Sequence, residues 1–194
     1  MNETIQTMLT RKSIRSYKDD QIKDEDLDLI IQASIHAPTG GNSQSWNFAV
    51  IQNKEKLIEL NNLVKESFAN LEVNEKTYHA IVSTKHASRR VDYSFYYDAP
   101  TLIVVSNKRE YSNAMADSAA AIENMIMAAH SLGLGTCWIN QLTWFGDDAN
   151  IRKILPNYGI PDDYVVCGAV AIGYSTTDSK YSVSRREPCV NILK

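Results

Sequence analysis

Cysteine is scarce in this chain of 194 residues, and the three present, Cys137, Cys167 and Cys189, lie far apart with no Cys-x-x-Cys pair. That spacing argues against a structural zinc site and a disulfide framework, and it suits a reducing cytoplasm. Basic charge is not in excess: 20 Lys and Arg stand against 23 Asp and Glu, giving a net charge of -3 and a pI near 5.8. A general nucleic-acid binder is thereby disfavoured, and the basic groups must act locally. Long apolar runs are also missing. The longest, residues 99–105 and 165–172, are far too short to span a bilayer, and the start Met1-Asn2-Glu3-Thr4-Ile5 lacks a basic region followed by an apolar core. The expectation is a cytoplasmic protein, neither exported nor membrane-embedded. The patterns GxGxxG, GxxxxGK and HExxH are absent as well, so dinucleotide, nucleoside-triphosphate and zinc-protease readings have no support and no metal is expected.

What is present is an ordinary globular composition, 44% hydrophobic and 22% charged, in a single domain spanning residues 1–194. A chain of this length buries roughly two thirds of its unfolded surface. Apolar periodicity predicts helices over residues 24–36, 54–67, 115–132 and 147–155, and strands over 48–51, 100–105, 136–139 and 164–173. Asp24, Glu25 and Asp26 open the first of these helices where the helix dipole favours acids, and Pro38 stops it. The helix over 115–132 is apolar nearly all round, which requires burial on several sides, in the domain or at a subunit interface. Strands and helices mix without a strict βαβ rhythm. Residues 68–98 are polar and tyrosine-rich and read as a variable excursion over the site. Residues 181–194, with Pro188 and no helical period, read as an arm that packs on something else.

Two clusters carry chemistry. Arg11, Lys12, Ser13 and Arg15 place three cations and a hydroxyl within five residues, the donor set that a phosphomonoester dianion needs. A solvated basic turn after a short first helix explains the same cluster. Farther on, Pro38, Thr39, Gly40, Gly41, Asn42, Ser43, Gln44, Ser45 and Trp46 form a loop suited to close backbone approach and to hydrogen bonding the polar edge of a heterocycle. The plainer reading is a helix-to-strand loop with Trp46 in the core.

Together these clusters resemble the nitroreductase family of flavin proteins, whose pattern is Arg-x-Ser-x-Arg near the start, then Ala-Pro-Ser-x-x-Asn-x-Gln-Pro-Trp-x-Phe. Gly133-Leu134-Gly135-Thr136-Cys137-Trp138-Ile139 is similar to a third family signature. The resemblance implies an α+β fold, a central and mostly antiparallel sheet flanked by helices, assembled as an intertwined homodimer with 181–194 as the dimer arm. It implies that Arg11, Lys12, Ser13, Arg15 and Arg186 hold the phosphate and ribityl end of FMN. Pro38, Thr39, Gly40, Asn42 and Gln44 would reach the flavin across the subunit boundary. Backbone N–H groups around Trp138, Asn140 and Gln141 would face its ring and stabilise negative charge there, with no catalytic side chain. The implied activity is hydride transfer from NAD(P)H to FMN, then electron transfer to a small nitroaromatic or quinone acceptor in a ping-pong cycle. The alternatives are a specialised relative acting in dehalogenation, flavin fragmentation or metabolite dehydrogenation, a non-catalytic flavin module, and a non-flavin anion-binding dimer. This chain departs from the pattern where Thr39 replaces serine, Ser45 replaces proline, and Asn140-Gln141 stand where the family often has two glycines.

Other candidates read as structural. His36 and His130 sit in the last turns of helices, and Cys137 is a small core residue. Asp117 and Glu123 would pair with cations at an interface. Tyr78, Tyr93, Tyr96 and Tyr97 either line a pocket or pack on a half-exposed surface.

Overall fold

In a computed structural model that describes residues 1–177, 185 and 190–194, the chain runs as α1 (Glu3–Thr10), α2 (Asp24–Ile35), β1 (Asn47–Ile51), α3 (Lys54–Asn70), α4 (His79–Ala87), β2 (Thr101–Lys108), α5 (Ala114–Ser131), β3 (Gly135–Ile139), α6 (Gln141–Phe145), α7 (Ala149–Ile154) and β4 (Tyr164–Gly173). Local chemistry sets many of the boundaries. The Asn2, Asn53 and Asp148 side chains accept N–H groups of the first turns of α1, α3 and α7, each at 3.0 Å. At the end of α5, Gly133 takes φ +78, its N–H bonds the His130 carbonyl at 3.0 Å, and the Leu134 N–H bonds the Ala129 carbonyl at 2.9 Å. This is a Schellman closure, and its left-handed residue is the reason for glycine there.

The described strands pair antiparallel in the order β1-β2-β4-β3, with a bulge in β2 between Val105 and Ser106. β2 is buried on both faces. Leu102 and Val104 enter an apolar layer shared with α3, α6 and α7, and Ile103 and Val105 enter one shared with α2 and α5. Three layers follow from that two-sided burial. The α+β architecture with an antiparallel sheet flanked by helices therefore stands as the family resemblance implies. Ile30, fully buried where α2 packs on α5, tests this packing: Ile30→Val should cost about 0.5–1.5 kcal/mol in urea unfolding.

Several boundaries shift. β2 extends to Lys108, and α7 begins at Ala149 rather than Asp147. Asn140 and Gln141 are not simply loop, because Gln141 opens the short helix α6, anchored by Leu142 and Phe145 in the core. The ring of Phe145 meets Phe68 edge-on with centroids 4.7 Å apart. Of the excursion over 68–98, the first three residues continue α3, residues 79–87 form α4, and Phe95 and Tyr96 are buried core. Among the described residues no helix is long and apolar enough to cross a membrane. Arg186 and most of the arm over 181–194 lie outside the described residues.

Candidate functional site

After α1 the chain runs beside β3. Ser13 pairs in parallel with Thr136, and the Ile14 N–H donates to the Thr136 carbonyl at 2.8 Å. Ile14 packs against Gly135, where a Cβ would lie 2.9 Å from the Ile14 side chain. In such an extended segment, alternate residues face alike, so Ile14 turns inward while Ser13 and Arg15 share the exposed side. Arg11 and Lys12 are half-buried at the preceding turn, near His130 at the end of α5.

His130 takes part in this cluster. Its Nε2 lies 3.0 Å from Thr10 Oγ1, whose own hydrogen goes to the Gln6 carbonyl at 2.8 Å, so the imidazole donates through Nε2. Burial, then the Arg11 and Lys12 cations, hold its pKa below the ordinary value. Cys137 is buried in β3, and burial pushes its thiol up against the pull of Arg15 and Arg11, leaving a protonated core side chain.

From Arg15 the surface falls into a cavity of about 540 Å³, lined among others by Arg15, Tyr17, Tyr93, Tyr97 and Gln141. The Arg15 guanidinium lies 5.9 Å from the centroid of the Tyr97 ring, a cation–π distance. Tyr17 donates to the Ile14 carbonyl at 2.6 Å, and burial raises its pKa. The tyrosines of the excursion thus divide: Tyr93 and Tyr97 line the cavity, Tyr96 is core, and Tyr78 is exposed. Trp138 does not join the lining. Its ring packs on the α2–α5 side, where a Cβ on Gly168 would meet its Nε1 at 2.9 Å.

The loop over 38–46 is organised by Asp117, in the first turn of α5. The buried carboxylate accepts the Gly40 N–H at 3.1 and 3.2 Å, the Tyr111 hydroxyl at 2.8 Å and the Ser43 hydroxyl at 3.5 Å. Among the described residues of one subunit, the neighbours of Asp117 are neutral donors rather than cations. Gly40 cannot be larger without displacing Asn113, whose Nδ2 would lie nearest to an added Cβ, and Tyr111, whose hydroxyl would lie 2.7 Å from it. The Gln44 N–H bonds Thr39 Oγ1 at 3.2 Å, and the Gln44 side chain bonds Asn42 Oδ1 at 2.8 Å. Pro38, Asn42 and Gln44 are exposed. Asn42 and Gln44 have φ +55 and +46, and Tyr97 and Asp98 at the cavity have φ +57 and +54. Among the described residues these are the only non-glycine positive φ values, at about 1–3 kcal/mol of strain each.

The structure does not bring the two predicted clusters together in one subunit. The cation segment adjoins His130 and the loop adjoins Asp117, 13 residues apart on α5, or about 20 Å at 1.5 Å per residue. They also occupy opposite edges of the sheet, β3 and β1. Sequence reasoning missed Tyr17, Tyr111 and the part played by Asp117. An acid in the first turn of an otherwise apolar helix was the one available signal.

A cationic segment beside the edge of the sheet leads into a tyrosine-lined cavity, and the antiparallel sheet covered by helices makes this an α+β protein. The chain belongs to the nitroreductase family, whose model matches residues 8–174. It is 30% identical over 181 residues, 93% of this chain and 90% of the relative, to an Archaeoglobus fulgidus protein provisionally named NADH dehydrogenase/NAD(P)H nitroreductase. It is similar in structure to a Bacteroides fragilis nitroreductase with bound FMN, with TM-score 0.89, 36% identity and full coverage of both chains. A nitroreductase with bound FMN from Desulfitobacterium hafniense matches with TM-score 0.84 and 26% identity, again over all of both chains.

Proposed function

We propose that this chain is an FMN-dependent oxidoreductase that takes hydride from NAD(P)H and passes electrons to nitroaromatic or quinone acceptors, the two substrates binding in turn. For a quinone the balance is NAD(P)H plus H⁺ plus quinone to NAD(P)⁺ plus hydroquinone. The reading is carried by the contiguity of the Arg11–Arg15 segment with the cavity that begins at Arg15. It is supported by the FMN bound in two similar structures and by the NAD(P)H in the name of the Archaeoglobus relative.

The residues present fit the cofactor. Arg11, Lys12 and Ser13 offer charge-assisted donors for a phosphate, with Arg186 as a further cation from the chain's end. Arg15 and Tyr97, at the mouth of the cavity, suit the edge of a flat ring, and the backbone near Trp138, Asn140 and Gln141 would supply polar donors beside it. When bound, FMN supplies the capacity to accept a hydride and return two electrons. The Arg11–Arg15 segment would hold the phosphate, and fixed donors would stabilise the negative charge that develops on the ring.

The 20 Å scale separating the loop from the cation segment supports a homodimer, in which Pro38, Thr39, Gly40, Asn42 and Gln44 of one subunit complete the site of the other. Exposed Ile5, Met8 and Leu9 on α1 and Met115 on α5 give that assembly apolar surface to bury. The excursion over 68–98 borders the acceptor's space, and the buried free thiols of Cys137 and Cys167 suit a reducing cytoplasm.

The visible absorption spectrum of the purified protein tests cofactor and reaction together. The expected result is a bound yellow chromophore that bleaches on anaerobic NADH or NADPH and recovers with a quinone. Protein that takes up no flavin would sink the reading. A chromophore that neither nicotinamide bleaches would favour a non-catalytic flavin module.

A further inference from the structure

The wall of the cavity carries two polar side-chain groups, the Tyr93 hydroxyl and the Gln141 carboxamide, to which the cofactor reading assigns no contact. Tyr93 presents a buried hydroxyl whose hydrogen has no acceptor among the described residues. Its ring is fixed by edge-on contact with Phe68, centroids 6.4 Å apart, and its backbone carbonyl is held by Asn61 Nδ2 at 2.8 Å. Beside it lies Gln141, only 9% exposed. The Gln141 carboxamide is oriented by the Asn140 N–H, which donates to Gln141 Oε1 at 3.2 Å. With its oxygen so engaged, the amide nitrogen is left to donate, one hydrogen toward the Tyr93 oxygen and the other into the cavity. The carboxylates that border the cavity do not compete at this depth. Asp19, Asp92 and Asp98 are exposed, and Asp92 is paired with Arg90 at 2.6 and 2.9 Å.

The geometry points to Tyr93 and Gln141 as a paired donor site for the oxygen atoms of a planar electron acceptor, a nitro group or a quinone carbonyl. Two hydrogens presented side by side match two lone pairs on one carbonyl oxygen, or the two oxygens of a nitro group. They match less well the flavin's own polar edge, where an N–H donor lies between two carbonyls. Negative charge grows on the acceptor's oxygens as electrons arrive, and donors already aimed there lower the barrier without reorganising. Tyr93 is suited to donate rather than to give up its proton. Burial pushes its pKa up to about 12, against a smaller downward pull from Gln141, so the hydroxyl keeps its hydrogen through neutral and mildly alkaline pH. The acceptor would therefore be selected by its oxygen atoms as well as its flatness.

This inference rests on the oxidoreductase reading, and its test separates the two. Tyr93→Phe removes one oxygen and leaves the ring against Phe68. In the FMN-loaded enzyme, reduced anaerobically with NADH, reoxidation by 1,4-benzoquinone or a nitrobenzene should slow by about 10- to 150-fold, as expected for one lost hydrogen bond to developing charge. FMN affinity, the flavin spectrum, the reductive half-reaction and reoxidation by ferricyanide, which presents no such oxygen, should keep their wild-type values. The slowing should also be constant from pH 6 to pH 9. Unchanged reoxidation by quinone would overturn the inference. So would a weaker FMN affinity or a shifted spectrum of similar size, because Tyr93 would then touch the cofactor. Wild-type protein that binds no FMN would instead overturn the reading beneath it.

Discussion

Replacing Arg11 and Lys12 together by alanine is expected to weaken FMN binding by about two to four orders of magnitude. Each cation makes a charge-assisted contact to a phosphate worth about 1.5–3 kcal/mol, so the pair accounts for about 3–6 kcal/mol, and each 1.4 kcal/mol is tenfold in affinity. Both residues are half-buried beside the end of α5, where water screens them less than at an open surface. Titration of apoprotein with FMN, followed by flavin fluorescence, measures the effect. Riboflavin, which lacks the phosphate, is the control: the double variant should bind it about as well as wild type does. Equal losses for both ligands, or no loss for FMN, would show that the phosphate lies elsewhere. His130 provides a second readout in the same protein. With both cations gone its pKa should rise, because two of the three causes that depress it have been removed.

Asp117→Ala should destabilise the subunit by about 2–4 kcal/mol and also weaken FMN binding. The carboxylate accepts the Gly40 N–H and the Tyr111 hydroxyl, two charge-assisted bonds with a gross value of about 3–6 kcal/mol, offset in part by relief of burying an unpaired charge. Tyr111 keeps a second acceptor in the Gly40 carbonyl at 2.9 Å, whereas no other acceptor for the Gly40 N–H is seen among the described residues. The strained backbone at Asn42 and Gln44 then loses the anchor that holds it. Urea unfolding measures the stability, and FMN titration of the folded variant measures the binding. An Asp117→Ala protein as stable as wild type would show that the loop is held by other means.

The elements most legible in the sequence are those whose burial pattern is uniform. β4 keeps its predicted bounds, and α5 shifts by one residue at each end, because β4 is a continuous apolar stretch closed by Gly173 and α5 is predominantly apolar on most of its faces and closed by Gly133. α6 was not legible: a five-residue helix shows no period of its own, and it exists because Leu142 and Phe145 find room in the core against Phe68. Phe95 and Tyr96 were hidden by polar neighbours in the sequence, although they are as buried as the strand residues. At the site, the cation cluster and the glycine loop could be read as local motifs. The hold of Asp117 on Gly40 could not, since it joins residues 77 positions apart and depends on where α5 packs. The same holds for Tyr93 and Gln141, which meet only once the excursion has folded back onto the end of β3.

The placement of the loop and the cation segment at the two ends of α5 carries a consequence for handling the enzyme. If each catalytic centre is shared between two chains, then thinning the solution toward the subunit dissociation constant strips the yellow cofactor from protein that is otherwise intact. Specific activity would then fall as concentration falls, and a surplus of free FMN would restore it by pulling the chains back into pairs.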